Sequence, residues 1–123
     1  MLDQYLAAAV GAMALAALPT IALAGDASAG QRDFSRCAAC HSAQTGKNSV
    51  GPSLAGVVGR SSGGAPDYSY STAMKNAHVT WDAATLDRFL ANPQSVVRGT
   101  KMFVNIPDAT ARGDVIAYLA TLK

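Results

Sequence analysis

An all-α fold follows from three features of this sequence. Val115, Ile116, Leu119 and Leu122 form an apolar stripe at helical spacing near the C-terminus. Nowhere do apolar and polar residues alternate with the period of two that a half-buried strand requires. Between Ser42 and Ser71 the glycines and Pro52 and Pro66 break the chain into turns with no period at all. Roughly thirty residues without regular structure are rare in a small domain unless they wrap a ligand. The expectation is a small domain of helices and long loops closed around something.

The elements follow in chain order. Leu6 to Leu18 is an unbroken run of apolar and small residues, ended by Pro19, and Ala22-Leu23-Ala24 supplies the small residues a signal peptidase reads. Residues 1–24 are therefore expected to be a cleaved export signal, although Asp3 stands where such signals usually carry Lys or Arg. The alternative is an uncleaved membrane anchor. Its run from Leu6 to Ala24 only just reaches spanning length and contains Pro19. Either way residues 25–123 form one domain outside the cytoplasm.

Asp26 is placed to cap a helix running to about Arg36, with Phe34 as its one large apolar residue. A short helix is expected around Ser71–Asn76. Another runs from about Asp82 to Ala91, with Leu86, Phe89 and Leu90 on one face, and stops at Asn92-Pro93. The last starts at Pro107-Asp108 and carries the stripe already described.

Composition excludes several functions. The 123 residues suffice for one core and not two. Ten basic against eight acidic side chains leave a net charge of only +2, with no Lys/Arg cluster on a helix, so nucleic-acid binding is not expected. Cleavage after Ala24 would remove Asp3 alone among the charges and leave the domain one unit more positive. Every acidic residue is Asp, and no spacing favours paired-carboxylate chemistry.

Both cysteines of the chain, Cys37 and Cys40, stand in "CAACH" with His41 directly behind. A thioredoxin-like redox pair would need flanking strands. Zinc would need a fourth ligand, and only His78 or an Asp is available, at no zinc spacing. A plain disulfide would close too short a loop to stabilise much and would leave His41 without a role. Cys-x-x-Cys-His is also the attachment signature of c-type haem, and this reading uses all three residues. Two intervening residues match the separation of the haem vinyl groups, and His41 falls where its imidazole reaches iron from one side. Export agrees, because bacteria attach this haem outside the cytoplasm.

The second axial position is filled in an electron carrier, and His/Met ligation raises the potential. Met74 and Met102 are the two methionines after residue 24. Either could simply fill a gap in a core. Met74 lies in a short helix beside Lys75, whereas Met102 follows the turn-like "RGTK", and loop character favours Met102.

The pieces "CAACH", "GPSLAGVVGR" (51–60), "YSYSTAMKNAHVTW" (68–81), "LANP" (90–93), "GTKM" (99–102) and "DVIAYL" (114–119) occur in the order found in class I cytochromes c. Over essentially all of residues 25–123 the chain resembles that family, which includes the mitochondrial protein and its bacterial relatives in respiration and photosynthesis. The resemblance implies the small cytochrome c fold, with helices and long loops around one covalently attached haem c. It makes Met102 the distal ligand opposite His41. It further implies that the Pro52 carbonyl accepts from the His41 ring N–H, and that Tyr70 and Trp81 hydrogen-bond a haem propionate whose charge Arg60 offsets. Thr100 would support the distal loop, and Gly30 and Phe34 would meet the last helix near Tyr118. Four departures stand out. Phe89 replaces a common tyrosine, Met74 a common asparagine and Arg98 the usual proline before "GTKM", and one residue is missing after Met102. His78 has no counterpart role and is expected at the surface.

The implied function is one-electron transfer, not enzyme catalysis, by a periplasmic monomer that meets membranes only through partners or an uncleaved anchor. Arg36, Lys75, Arg98 and Lys101 would form a basic ring for acidic partners. Donors would be a cytochrome bc complex or periplasmic dehydrogenase, and acceptors a terminal oxidase or photosynthetic reaction centre.

Overall fold

The computed structural model describes residues 25–123, together with Gly11. The expected export segment, residues 1–24, lies outside these apart from that glycine. Helix α1 (Ala27–Asp33) begins as its sequence dictates: the Asp26 carboxylate accepts from the amides of Ser28 at 2.9 Å and Ala29 at 3.4 Å. The chain then tightens into a 3-10 turn over Phe34–Arg36, where the sequence predicted continued helix. Helix α2 (Thr72–Lys75) is capped by the Ser71 hydroxyl, which accepts from the Met74 amide at 3.2 Å. Helix α3 (Ala83–Ala91) is capped by Asp82, which accepts from Thr85 at 2.7 Å.

Pro93 ends α3 as expected but also opens a further turn, α4 (Pro93–Val96), that the sequence reading did not anticipate. A proline blocks the helix before it, yet its fixed φ suits the first position of the next one. Helix α5 (Ala109–Leu119) starts at the Asp108 cap, with 2.8 Å to the Ala111 amide. Of the predicted stripe, Val115, Ile116 and Leu119 are buried on α5. Leu122 lies one turn past its end, where its carbonyl accepts from Gly56 at 3.0 Å. Among the described residues there is no strand, only an isolated antiparallel bridge between Ser61 and Thr80. None of their helices is long and apolar enough to cross a membrane.

Helices α1 and α5 cross where Gly30 meets Asp114. A Cβ on Gly30 would collide with the Asp114 carbonyl oxygen, so only glycine permits this approach. The Asp114 carboxylate also accepts from the Asp26 amide at 2.8 Å, and Phe34 packs edge-on against Tyr118 with ring centroids 5.2 Å apart. The contact expected of Gly30, Phe34 and Tyr118 with the last helix is present. Around it Leu86, Phe89, Leu90, Val97, Ile106, Val115, Ile116 and Leu119 form one buried cluster with Phe34, Val57 and Trp81. Each large aliphatic or aromatic member contributes roughly 1.5–3 kcal/mol by leaving water.

Two outcomes follow from this packing. Gly30→Ala must push α1 off α5 and is expected to destabilise the protein by about 1–3 kcal/mol, read as a lower urea midpoint with unchanged slope. The Asp82 carboxyl is held below its ordinary 3.8 by hydrogen bonds from the Thr85 backbone and side chain, with desolvation opposing and Arg88 assisting. Its stabilising contribution is therefore fully present above pH 3.8 and fades as pH falls through the lower folded value. Asp82→Asn, which still caps a helix, should flatten the stability curve in that acid range while leaving α3 intact at neutral pH.

Candidate functional site

The Cys-x-x-Cys-His segment leaves the 3-10 turn as one more helical turn. The Cys37 amide donates to Phe34 at 2.8 Å, and the amides of Cys40 and His41 both donate back to the Cys37 carbonyl, at 3.0 and 2.9 Å. The α1–α5 crossing thus fixes where these three residues sit. Both cysteines are half-buried free thiols. Burial raises the Cys37 thiol above its usual range, with Arg36 opposing and Cys40 assisting, which keeps it protonated at neutral pH.

His41 is aimed by the loop that follows. One ring nitrogen, Nδ1, lies 2.7 Å from the Pro52 carbonyl oxygen and donates to it, which leaves Nε2 as the acceptor or ligand nitrogen. Burial lowers the His41 imidazole from its ordinary 6.5, the Pro52 bond opposes this, and the Arg60 guanidinium adds to the lowering. The ring is neutral at pH 7, the form that can bind a metal ion.

The two sides of the molecule meet over a cavity of about 470 Å³. Cys40, His41, Pro52, Arg60, Tyr70, Trp81, Thr100 and Met102 all line it, whereas Cys37 sits behind, packed against the core. Eight residues scattered over more than half the domain are thereby brought to one chamber. Its remaining wall is mainly apolar, with Leu54, Val57, Leu86, Phe89 and Leu90 among the contributors. Met74 lines it as well, so both methionines considered from the sequence reach the same space.

Three polar features inside the cavity answer to an anionic group. Arg60 spends two of its nitrogens on the loop, with Nη2 donating to Ser53 at 3.0 Å and Nη1 to Ala55 at 3.3 Å. Its third, Nε, is buried without any hydrogen-bond partner, and an unpaired buried donor is costly unless a ligand satisfies it. The Tyr70 hydroxyl accepts from the Ala65 amide at 2.9 Å, so its own proton remains to be donated. Trp81, whose ring is tilted 58° to that of Phe89 with centroids 4.8 Å apart, lines the same cavity and carries an indole N–H donor. An apolar chamber with a neutral imidazole, the Cys40 thiol in its wall, the Cys37 thiol behind it and such donors fits a haem.

On the opposite side Thr100 is almost fully buried, and its hydroxyl accepts from the Met102 amide at 3.3 Å. His78 is exposed, as expected, in a left-handed conformation with φ of 50°. Of the four basic residues considered for docking, all exposed, only Arg36 and Lys101 line the cavity mouth.

The family model for cytochrome c matches residues 27–123. The chain belongs to the cytochrome c family. It is 52% identical over 101 residues to cytochrome c of Euglena viridis, covering 80% of this chain and 99% of that one. With cytochrome c2 of Rhodomicrobium vannielii it shares 50% over 100 residues, or 80% of each chain. Among solved structures, cytochrome cH from Methylobacterium extorquens superposes with a TM-score of 0.74 at 49% identity, over 79% of this chain and 99% of the other. Ferricytochrome c2 from Rhodopseudomonas palustris gives 0.72 at 39% identity, over 80% and 99%. The protein is thus a cytochrome c fold and an electron carrier, not an enzyme. Membership implies covalent haem c, and Cys37 and Cys40 are the paired cysteines present for it.

Two residues of this cytochrome's site were missed in the sequence. Gly51 is buried against His41, and a Cβ there would overlap the imidazole ring. A glycine directly before Pro52 was its only signal. Gln94, whose amide bonds to both Gly99 and Thr100, carried none. Gly51→Ala is expected to displace the His41 ring and break its bond to Pro52. A slowly exchanging His41 ring proton is expected in the NMR spectrum of the haem-loaded parent and should be lost in the variant, with a stability loss of about 1–3 kcal/mol.

Proposed function

We propose that this cytochrome holds one haem c through thioethers from Cys37 and Cys40, with His41 and Met102 as the axial ligands, and passes single electrons between redox proteins of the periplasm. The observation that carries this reading is the convergence of Cys40, a neutral Pro52-oriented His41 and Met102 on one apolar cavity. When bound, the haem iron supplies a one-electron couple between ferric and ferrous states.

The protein's residues have distinct tasks in that reading. Pro52 holds the His41 tautomer that presents Nε2 to the metal. The apolar wall disfavours the extra charge of the ferric form and so raises the potential. Arg60 Nε and the Tyr70 hydroxyl, together with the Trp81 indole, receive the propionates. Thr100 anchors the loop bearing the Met102 sulfur. With His41 and Met102 both holding the iron, no bond to a substrate would form and little reorganisation would accompany electron transfer.

Docking is expected at the cavity mouth. Three of its lining residues are the exposed large hydrophobics Val50 (73%), Phe103 (78%) and Val104 (51%), and Arg36 and Lys101 stand among them. This is an apolar patch with a basic edge, suited to an acidic redox partner such as a cytochrome bc complex, a periplasmic dehydrogenase, a terminal oxidase or a reaction centre. Lys75 and Arg98, exposed without lining the mouth, would steer from farther out. With a modest net charge the steering is weak and falls with salt. Residues 1–24 are read as the cleaved export signal that delivers the chain to the compartment where this haem is attached.

The test is the absorption spectrum of holoprotein made in a host that attaches c-type haem. The ferric protein should show a weak far-red sulfur-to-iron absorbance and the dithionite-reduced protein a sharp α-band. Met102→Ala should abolish the far-red feature while Met74→Leu retains it. The reverse pattern would transfer the ligand role to Met74.

A further inference from the structure

We propose that Gln94 is a positioning residue that locks the Met102 loop, supplying through its side chain the rigidity that a proline would otherwise give the turn at Arg98. Gln94 lies on α4, the single turn seated by buried Pro93 and Val97. Its carboxamide reaches forward to the loop and bonds it twice. Oε1 accepts from the Gly99 amide at 2.9 Å, and Nε2 donates to the Thr100 carbonyl at 2.9 Å. The side chain thus pairs with both faces of one peptide segment, two residues before Met102.

The reason such a clamp is needed lies in the turn itself. The Thr100 amide donates to the Val97 carbonyl at 3.0 Å, which closes a four-residue turn with Arg98 second and Gly99 third. Gly99 has φ of +87°, the signature of a type II turn, in which proline is favoured at the second position. Arg98 occupies that position without the fixed φ of a proline, and its amide makes no hydrogen bond among the described residues. A proline there would restrict the unfolded and opened chain. Arg98 does not, and the Gln94 carboxamide restrains the same two peptides from outside. Thr100 extends the restraint to Met102, because its hydroxyl accepts from the Met102 amide.

This inference rests on Met102 as the distal ligand, and the experiment separates the two. Ferric holoprotein is titrated with imidazole, which must displace Met102 and so reports how readily the loop opens, while amide exchange at Gly99 is followed by NMR. Gln94→Ala is expected to raise imidazole affinity about tenfold, equivalent to about 1.4 kcal/mol and within the net worth of two neutral hydrogen bonds. Gly99 exchange should accelerate in step, while the Ala120 amide at the end of α5 stays protected. Adding Arg98→Pro to Gln94→Ala should return the affinity toward the parent value. Unchanged affinity and Gly99 protection in Gln94→Ala would overturn the clamp. So would acceleration of Ala120 to the same degree, which would mark general destabilisation, or failure of Arg98→Pro to rescue. If the parent lacks the far-red absorbance, Met102 ligation fails and the clamp's role fails with it.

Discussion

The approach of α1 to α5 at Gly30 governs the rest of the molecule. Helix α1 has few apolar side chains of its own, and it is held by a backbone contact that no larger residue would allow, by Phe34 against Tyr118, and by the Asp114 carboxylate on the amide of its capping residue Asp26. Because the Cys-x-x-Cys-His turn grows directly out of that helix, the crossing also sets the position of both thiols and of His41. A shift of α1 along α5 would move all three relative to the wall formed by α3 and α5. The Cys-x-x-Cys-His turn and the α1–α5 contact are therefore one mechanical unit.

The rest of the site is held by loops, and side-chain hydrogen bonds replace the ladders that regular structure would supply. On the His41 side, Ser53 bonds to the Gln44 carbonyl at 2.6 Å and to Asn48 at 2.9 Å, and Arg60 ties the Ser53 and Ala55 carbonyls. Tyr68 bonds the Val50 carbonyl at 2.6 Å. On the opposite side, Gln94 and Thr100 hold the Met102 segment. Buried backbone groups must be paired somewhere. In a domain this small the loops meet that requirement with polar side chains, which keeps the apolar residues for the cavity wall.

The cavity combines two demands. Its wall is apolar, which favours the less charged form of a bound metal centre, yet one flank carries Arg60 and Tyr70 with donors still available. His41 is kept neutral mainly by burial, and Arg60, facing the same space, adds to that effect. Phe89 fills its place in the wall against Trp81 without a hydroxyl. With phenylalanine in place of the usual tyrosine, this part of the chamber carries no hydroxyl.

Much of this protein is legible in its sequence. Asp26, Ser71, Asp82 and Asp108 start their helices because a short oxygen-bearing side chain satisfies the first free amides, a local effect that needs no tertiary information. The Cys-x-x-Cys-His spacing and the stripe Val115, Ile116, Leu119 are likewise local, and the order of the remaining motifs pointed to the cytochrome c family. What the sequence could not carry depends on residues far apart in the chain meeting in space. The need for glycine at 51 comes from the His41 ring packed on it, and the unpaired Arg60 Nε from the closing of the loop around it. Gln94 pairs with Gly99 and Thr100 only because Pro93 turns the chain into α4, where the sequence showed only a stop. Local hydrogen bonding and periodicity determined the helices and the attachment motif; the close approaches and crossed ties of the cavity are properties of the folded packing alone.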